Sequence, residues 1–464
     1  MSRFSDQAAS LSRRRFLAVT GAMTAGTALA ACSSGGSGAS SGSTAAAQAV
    51  SQADIDKAMS TPTELTFWSW VPNIDKEVAL FKQKYPAIKV TVVNAGQGAA
   101  QYTKLRTALQ AGTGAPDACQ IEYQYIPTFT ITDSLLDLRP YGASALRSKF
   151  VDWTWGQVSG AGGEVWAIPQ DTGPMGMLYR QDIFDKHGIA VPKTWDEFAD
   201  AARKLHAADP SVYLTNLSAN EPAAWHGLLW QAGGKPYTTS GKSTVSISVD
   251  DAVSKKLGAY WGGLAKEGVI SSDPDFTDAW YAGFNQGKYA TWITAAWGPV
   301  FLSGSAKSTS GKWRAAPLPQ WDASAPSSGN WGGSTTAVMR SSKNPIAAAM
   351  FAQFLNSDPA SAKLFTTEQF FFPATKALLA DASFTGQTPA FYGGQKVNQV
   401  FADVSSTVPT SFQWPPFLDQ VVTDWTETVG KSLADRTDSV TALSTWQSRI
   451  TTYAKNQGFT VQGS

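Results

Sequence analysis

The sequence predicts an α/β protein built as two lobes, with the chain crossing from one to the other. Residues 61–122 alternate strand-like and helix-like stretches, and a second alternation follows Arg180. Between them the stretch Gly163–Arg180 holds two β-like runs end to end around a polar, glycine- and proline-containing break. At 464 residues the chain exceeds what one hydrophobic core usually supports, so two large bodies fit its length.

The chain opens with Ser12-Arg13-Arg14-Arg15-Phe16-Leu17, then a mildly apolar run from Ala18 to Ala31 that meets Cys32 after Leu29-Ala30-Ala31. This resembles a bacterial lipoprotein signal with a twin-arginine motif. The run is too short and too rich in Ala, Gly and Thr to span a bilayer stably, as a removed signal would be. Residues 1–31 are therefore the expected signal peptide. The resemblance implies cleavage before Cys32, lipid on its thiol, and export of an already folded chain. The serine- and glycine-rich stretch after Cys32 has no periodicity, and 32–60 is expected to be a lipidated, flexible tether. Cys119 then has no partner, and a buried thiol is expected there.

The 37 basic and 36 acidic residues nearly cancel. Residues 1–31 hold four arginines against Asp6 alone, so the remainder carries 33 basic and 35 acidic groups. No nucleic-acid partner is expected from that balance. With 18 tryptophans and only 16% charged residues, the chain favours uncharged, hydroxyl-rich ligands.

Leu65–Trp68 and Ile88–Val93 read as strands. Between them Ile74, Val78, Phe81 and Tyr85 recur at helical spacing, with Asn73 as the expected cap. Tyr102, Leu105 and Leu109 mark another helix, and Gly114-Ala115-Pro116-Asp117 leads into strand-like Ala118–Glu122. Strand, helix, strand, helix, strand is the order of a parallel sheet, where ligands gather beyond the carboxyl ends of the strands. Those ends are Ser69-Trp70, Asn94–Gly98 and Glu122-Tyr123-Gln124. Val165–Pro169 and Met175–Arg180 are the two runs of the broken strand, and Gln170-Asp171-Thr172-Gly173-Pro174 resists regular structure. Such a break suits a passage between two bodies; a hairpin turn with a solvated Asp171 is the alternative.

Beyond it, Thr194 and Glu197 have capping-box spacing ahead of buried Phe198, Ala201 and Leu205. Val253, Leu257, Tyr260, Trp261 and Leu264 form a further helical stripe. Tyr289–Thr294 is strand-like and leads into Ala295-Ala296-Trp297-Gly298, an expected second crossing. A third is expected at Met339–Ser342, after strand-like Ser334–Val338. Asn344-Pro345 and Asp358-Pro359 read as helix starts, and Leu418, Val421, Val422, Trp425, Val429 and Leu433 share one helical face. The polar runs 238–248 and 303–312 are expected to be peripheral loops. The expected division is 61–170 with 298–340 as the first lobe and 171–297 with 341–464 as the second.

In this order the chain resembles a family 1 extracellular solute-binding protein, the sugar-capturing subunit of ATP-binding-cassette importers. The matching residues include Leu65–Trp70, Gly114–Asp117, Trp166–Pro169, Leu178–Arg180, Pro192–Phe198, Phe284–Lys288, Trp331–Gly333 and Phe372-Pro373. The resemblance implies a type II periplasmic-binding-protein-like fold: two α/β lobes joined by a three-crossing hinge and closing over a solute in the cleft. It also implies a membrane permease as partner, a monomer, and no cofactor or ATP site on this chain.

A sugar presents apolar C–H faces and a rim of hydroxyls, so its site needs flat aromatic rings with acceptors around them. The candidates lie in loops and crossings. They are Trp70, Asn94 and Gln97 near the first two strand ends, Glu122 and Tyr123 at the third, and Asp171 in the first crossing. Trp70 packed at its strand end and Glu122 in a surface salt bridge are the alternatives there. By the resemblance, Trp225 and Trp230 lie in a segment that faces the cleft; they cannot both face one way on a helix, and Trp225 is the expected site residue. Trp297, Trp331 with Gly332 and Gly333, then Phe372 and Trp414, complete the set.

Against an enzyme, His187, His206 and His226 lack metal-ligand spacing, and no nucleophile elbow, phosphate loop or paired-cysteine motif occurs. A secreted carbohydrate hydrolase needs only two carboxylates, for which Glu122 and Asp171 are the available pair. A binder of a polyol or other non-sugar solute, and a purely structural or adhesive surface lipoprotein with no cleft, are the remaining alternatives.

Overall fold

The computed structural model describes residues 48–462, so the expected signal segment and Cys32 lie outside the described residues. Part of the expected tether is ordered. Gln52–Ser60 is a helix whose cap, Ser51, accepts from the Asp54 N–H at 3.1 Å, and its Met59 is buried against the first lobe.

Strands β1 (Thr63–Trp68), β2 (Ile88–Val93) and β3 (Ala118–Glu122) run parallel in the order β2-β1-β3. Helices Asp75–Lys84 and Ala99–Ala111 cross over between them. The first of these begins from Ile74, not Asn73, whose φ of 58° puts it in the left-handed region that Asn tolerates. Cys119 is a free, buried thiol on β3. β4 (Ala167–Pro169) lies at the far edge of this sheet, while β5 (Met175–Arg180) starts a different one.

That second sheet is apolar on both sides. Met175, Met177 and Tyr179 of β5 face one core cluster, and Leu178 faces another, which is why the run lacks polar alternation. Helix Trp195–Ala208 opens with the expected capping box: the Glu197 N–H donates to Thr194 Oγ1 at 3.2 Å and the Thr194 N–H to Glu197 Oε2 at 3.4 Å. The polar run 238–248 is not a loop. It contains most of a hairpin of β6 (Tyr237–Ser240) and β7 (Thr244–Ile247).

β8 (Thr291–Ala295) pairs antiparallel with β5. The chain does not cross there, contrary to expectation. It turns through helix Gly298–Ser305 into β9 (Trp313–Pro317), which pairs with the other edge of β5. Leu302, Ala306 and Trp313 bury themselves with Trp280, Phe284 and Trp292, an apolar surface that holds 298–317 to the second lobe. The run 303–312, expected as loop, is thus the end of that helix and a short turn of 3₁₀ helix.

The return to the first sheet comes at Asn330–Gly333, just before β10 (Ser334–Val338), which sits between β3 and β4. The chain then stays there past the expected third crossing at 339–342. Helix Pro345–Ser357 packs Phe351 edge-on against Phe67 at 5.2 Å and Phe81 at 5.1 Å, binding it and helix Pro359–Thr367 to the first core. The last passage falls near Phe372–Ala374: Phe372 packs with Phe384 and Phe401 of the second lobe, Ala374 with the first core. Helices Val397–Ser405, Leu418–Trp425 and Ser439–Asn456 complete the second lobe, and β11 (Thr460–Gln462) runs parallel to β7.

Candidate ligand-binding cleft

The three crossings meet at Asp171–Gly173. Asp171 Oδ1 accepts from the Ser334 N–H at 3.0 Å and from Gln170 Nε2 at 3.2 Å, tying the first crossing to the start of β10. Gly173 donates to Asn330 Oδ1 at 2.9 Å and its carbonyl accepts from the Trp331 N–H at 2.8 Å. The Thr172 N–H donates to the Phe372 carbonyl at 2.9 Å. Side chains are excluded where these backbones touch: a Cβ on Gly173 would lie 2.0 Å from the Trp331 carbonyl oxygen. Gly333, at φ 92°, would put one 2.8 Å from the Asp171 carbonyl oxygen and 2.9 Å from the Tyr123 ring. Glycine at both positions is a condition of the joint.

From the first lobe, Gln120 fixes the loop after β1. Its Oε1 accepts from Ser69 Oγ at 2.8 Å and from the Trp70 N–H at 3.1 Å, leaving the Trp70 ring half-buried and edge-on to Tyr102. Glu122 Oε2 accepts from the Tyr102 hydroxyl at 3.0 Å, and Tyr123 Oη donates to the Asp171 carbonyl at 3.1 Å. From the second lobe, Trp297 donates its indole N–H to the Trp331 carbonyl at 2.8 Å, and the two rings stand edge to face at 4.8 Å.

Two carboxylates join this set that the sequence reading missed. Glu221 caps helix Pro222–Gln231 by accepting from the Ala223 N–H at 3.2 Å; its Glu-Pro context reads only as a helix start. Asp275 accepts from Asn216 Nδ2 at 2.7 Å, and in Asp273-Pro274-Asp275-Phe276 it reads only as a turn. Burial raises the Glu122 carboxyl above the usual range. Burial, with the Glu122 charge nearby, pushes Asp171 and Glu221 each up to about 7. Burial and the neighbouring Glu221 push Asp275 up to about 8. The charges acting on Asp171, Glu221 and Asp275 are thus those of other carboxylates, and the charge of Glu122 in one lobe acts on Glu221 in the other. Ionised, such a site offers acceptors to hydroxyl or amino donors and repels anions; protonated, as Asp275 is below about 8, its carboxyls also donate.

The remaining candidates lie elsewhere. Trp225 is wholly buried in the second-lobe core against Trp425 at 6.0 Å, so the choice between it and Trp230 has no site residue to find: Trp230 is core too, stacked on Phe412 at 4.5 Å. Trp414 packs beside His226 and Phe412. Phe372 packs into the second-lobe core with Phe384 and Phe401. Asn94 is exposed and its Oδ1 holds a turn through the Gly96 N–H at 3.0 Å; Gln97 is exposed beside Gly98.

The lobes also touch through polar and charged side chains outside the three crossings. Asp419, in the first turn of helix Leu418–Trp425, accepts from Tyr125 Oη at 3.0 Å and pairs with Arg106 Nη2 at 2.8 Å, both first-lobe groups. Lys242, at the tip of the β6–β7 hairpin, pairs with Asp133 of the first lobe.

A family model described as bacterial extracellular solute-binding protein matches residues 67–362, more than half of the chain. The chain belongs to that family. This solute-binding protein is 32% identical to the transporter-associated binding protein of B. animalis subsp. lactis, solved with β-1,6-galactobiose; the match covers 86% of this chain and 99% of that one, with a TM-score of 0.72. It is 25% identical to the galacto-N-biose/lacto-N-biose I-binding protein of Bifidobacterium longum, solved with lacto-N-biose, over 86% and 98% of the two chains, with a TM-score of 0.74. Among sequence relatives, the arabinooligosaccharide-binding protein of Halalkalibacterium halodurans is 25% identical over 66% of this chain and 70% of its own. With these neighbours the fold is the type II periplasmic-binding-protein-like arrangement of two α/β lobes about three crossings.

Proposed function

We propose that this solute-binding protein captures an uncharged carbohydrate between its lobes and hands it to the permease of an ATP-binding-cassette importer. What supports this is that Glu122 acts on Asp171 and Glu221, and Glu221 on Asp275, beside the paired rings of Trp297 and Trp331, while Trp70 packs on the Tyr102 that donates to Glu122. Carboxylates there accept hydroxyls in pairs while the rings lie against C–H faces. The sugars named for its relatives support the same class.

Solute would meet one lobe first, and contacts from the other would stabilise the closed form. Twin-arginine export and lipid on Cys32, read from the sequence alone, would hold the protein on the outer face of the membrane, working as a monomer beside its permease. Tryptophan fluorescence titrated with lactose, lacto-N-biose, β-1,6-galactobiose and arabino-oligosaccharides tests the reading. Saturable quenching with sugar but not with sugar phosphates is expected. Equal response to both would sink the uncharged-ligand assignment, and sustained release of new reducing ends would replace capture with hydrolysis.

A further inference from the structure

Beside the joint, the second-lobe wall continues outward as aromatic surface. Trp331 is 6% exposed, Trp297 is half-buried, Phe276 is 42% exposed and Phe301 is 53% exposed. Each touches the next: Trp331 and Trp297 at 4.8 Å, Trp297 and Phe301 at 5.7 Å, with Phe276 at 6.2 Å from both tryptophans. Val300, 45% exposed, lies beside Phe301 on the same helix. Single exposed apolar side chains need no account, but a connected series that starts at a binding site does. Phe276 is also held at φ 62°, a conformation that a bulky residue rarely adopts and that clusters at ligand contacts. It directly follows Asp275, so the strained backbone presents a carboxylate inward and a ring outward.

Phe276 and Phe301 stay exposed although the lobes are already drawn together, since Asp419 and Lys242 bridge them. A ligand small enough to vanish between the lobes would leave Phe301 untouched. We propose that Phe276 and Phe301 form an outer carbohydrate subsite continuing from Trp331 and Trp297, so that the ligand is an oligosaccharide longer than a disaccharide whose far end lies outside the closed lobes. This rests on the carbohydrate reading above and narrows it to chain length.

Isothermal titration with ladders of arabino-oligosaccharides and β-1,6-galacto-oligosaccharides, from the disaccharide upward, tests it in the purified protein. Affinity for the longer members is expected to exceed that for the disaccharide by about tenfold, as one added ring contact gives. In Phe301→Ala and in Phe276→Ala that ratio falls towards one, and Phe301→Tyr restores it. A ratio near one in the unmodified protein, or one that both alanine variants preserve, overturns the outer subsite while leaving carbohydrate capture standing. Variants that keep the ratio yet lose permease-dependent uptake would reassign the patch to protein docking. Binding of no carbohydrate at all removes the capture reading and the subsite with it.

Discussion

Asp171 joins two duties, since one oxygen holds the Ser334 N–H while the carboxyl lies among other carboxylates. Asp171→Ala is expected to weaken sugar affinity by at least about tenfold, the loss of a charged hydrogen bond, in a fluorescence titration, with export unchanged. The raised carboxyls also set a pH dependence with a definite sign. Unfolded, these groups ionise near the usual carboxylate value; folded, Asp171 and Glu221 keep their protons to about 7 and Asp275 to about 8. Across that window the native state binds more protons, so their contribution lowers ligand-free stability as pH rises and levels off above about 8. Thermal melts of the ligand-free protein should fall between pH 5 and 8 (roughly the window between the two states' values), and Asp275→Asn should flatten the fall. A slope that this variant leaves intact would show that other groups govern it. Since an ionised carboxylate is the better acceptor for hydroxyls, sugar binding should release protons near neutrality, measurable as a buffer-dependent binding enthalpy.

Elements that draw on local chemistry were readable in the chain. The Thr194/Glu197 box and the helical stripe at Leu257, Trp261 and Leu264 follow from spacing alone, as does the parallel order of β1, β2 and β3. Thr194→Ala should cost about 1 kcal/mol, read as a lower urea midpoint, without altering sugar affinity. The crossings were less legible because sheet membership is decided by partners far away in sequence. Trp297-Gly298 looks like an exit after β8, but Leu302 and Trp313 bury against Trp280 and Phe284 and return the chain to β5. Helix Pro345–Ser357 likewise belongs to whichever sheet offers a slot for Phe351. Trp225 failed as a site residue for a related reason, since a helix apolar on every side conceals which of its rings faces a cleft. Glu221 and Asp275 were invisible because a cap and a turn each explain an acidic residue fully.

Over the whole molecule, closure is shared between the cleft and its rim. Asp419 gathers Arg106 and Tyr125 with one half-exposed carboxylate, an arrangement worth about 0.2–1 kcal/mol in water. Asp419→Ala should therefore shift the ligand-free population towards the open form by no more than about fivefold, seen as a larger radius of gyration in small-angle scattering, with saturating sugar restoring the compact value. High salt should mimic the variant, and no change under either condition would show that the rim pairs do not bias closure. The hairpin whose tip carries Lys242 has its other edge zipped to β11, so the last described residues lie one strand away from a contact between the lobes. A tag, dye or surface linker attached beyond Gln462 would load that edge and could jam or pry the mouth. Immobilisation for force or kinetic work is better made from the amino-terminal side, where the helix Gln52–Ser60 rests on the first lobe and takes no part in the bridge.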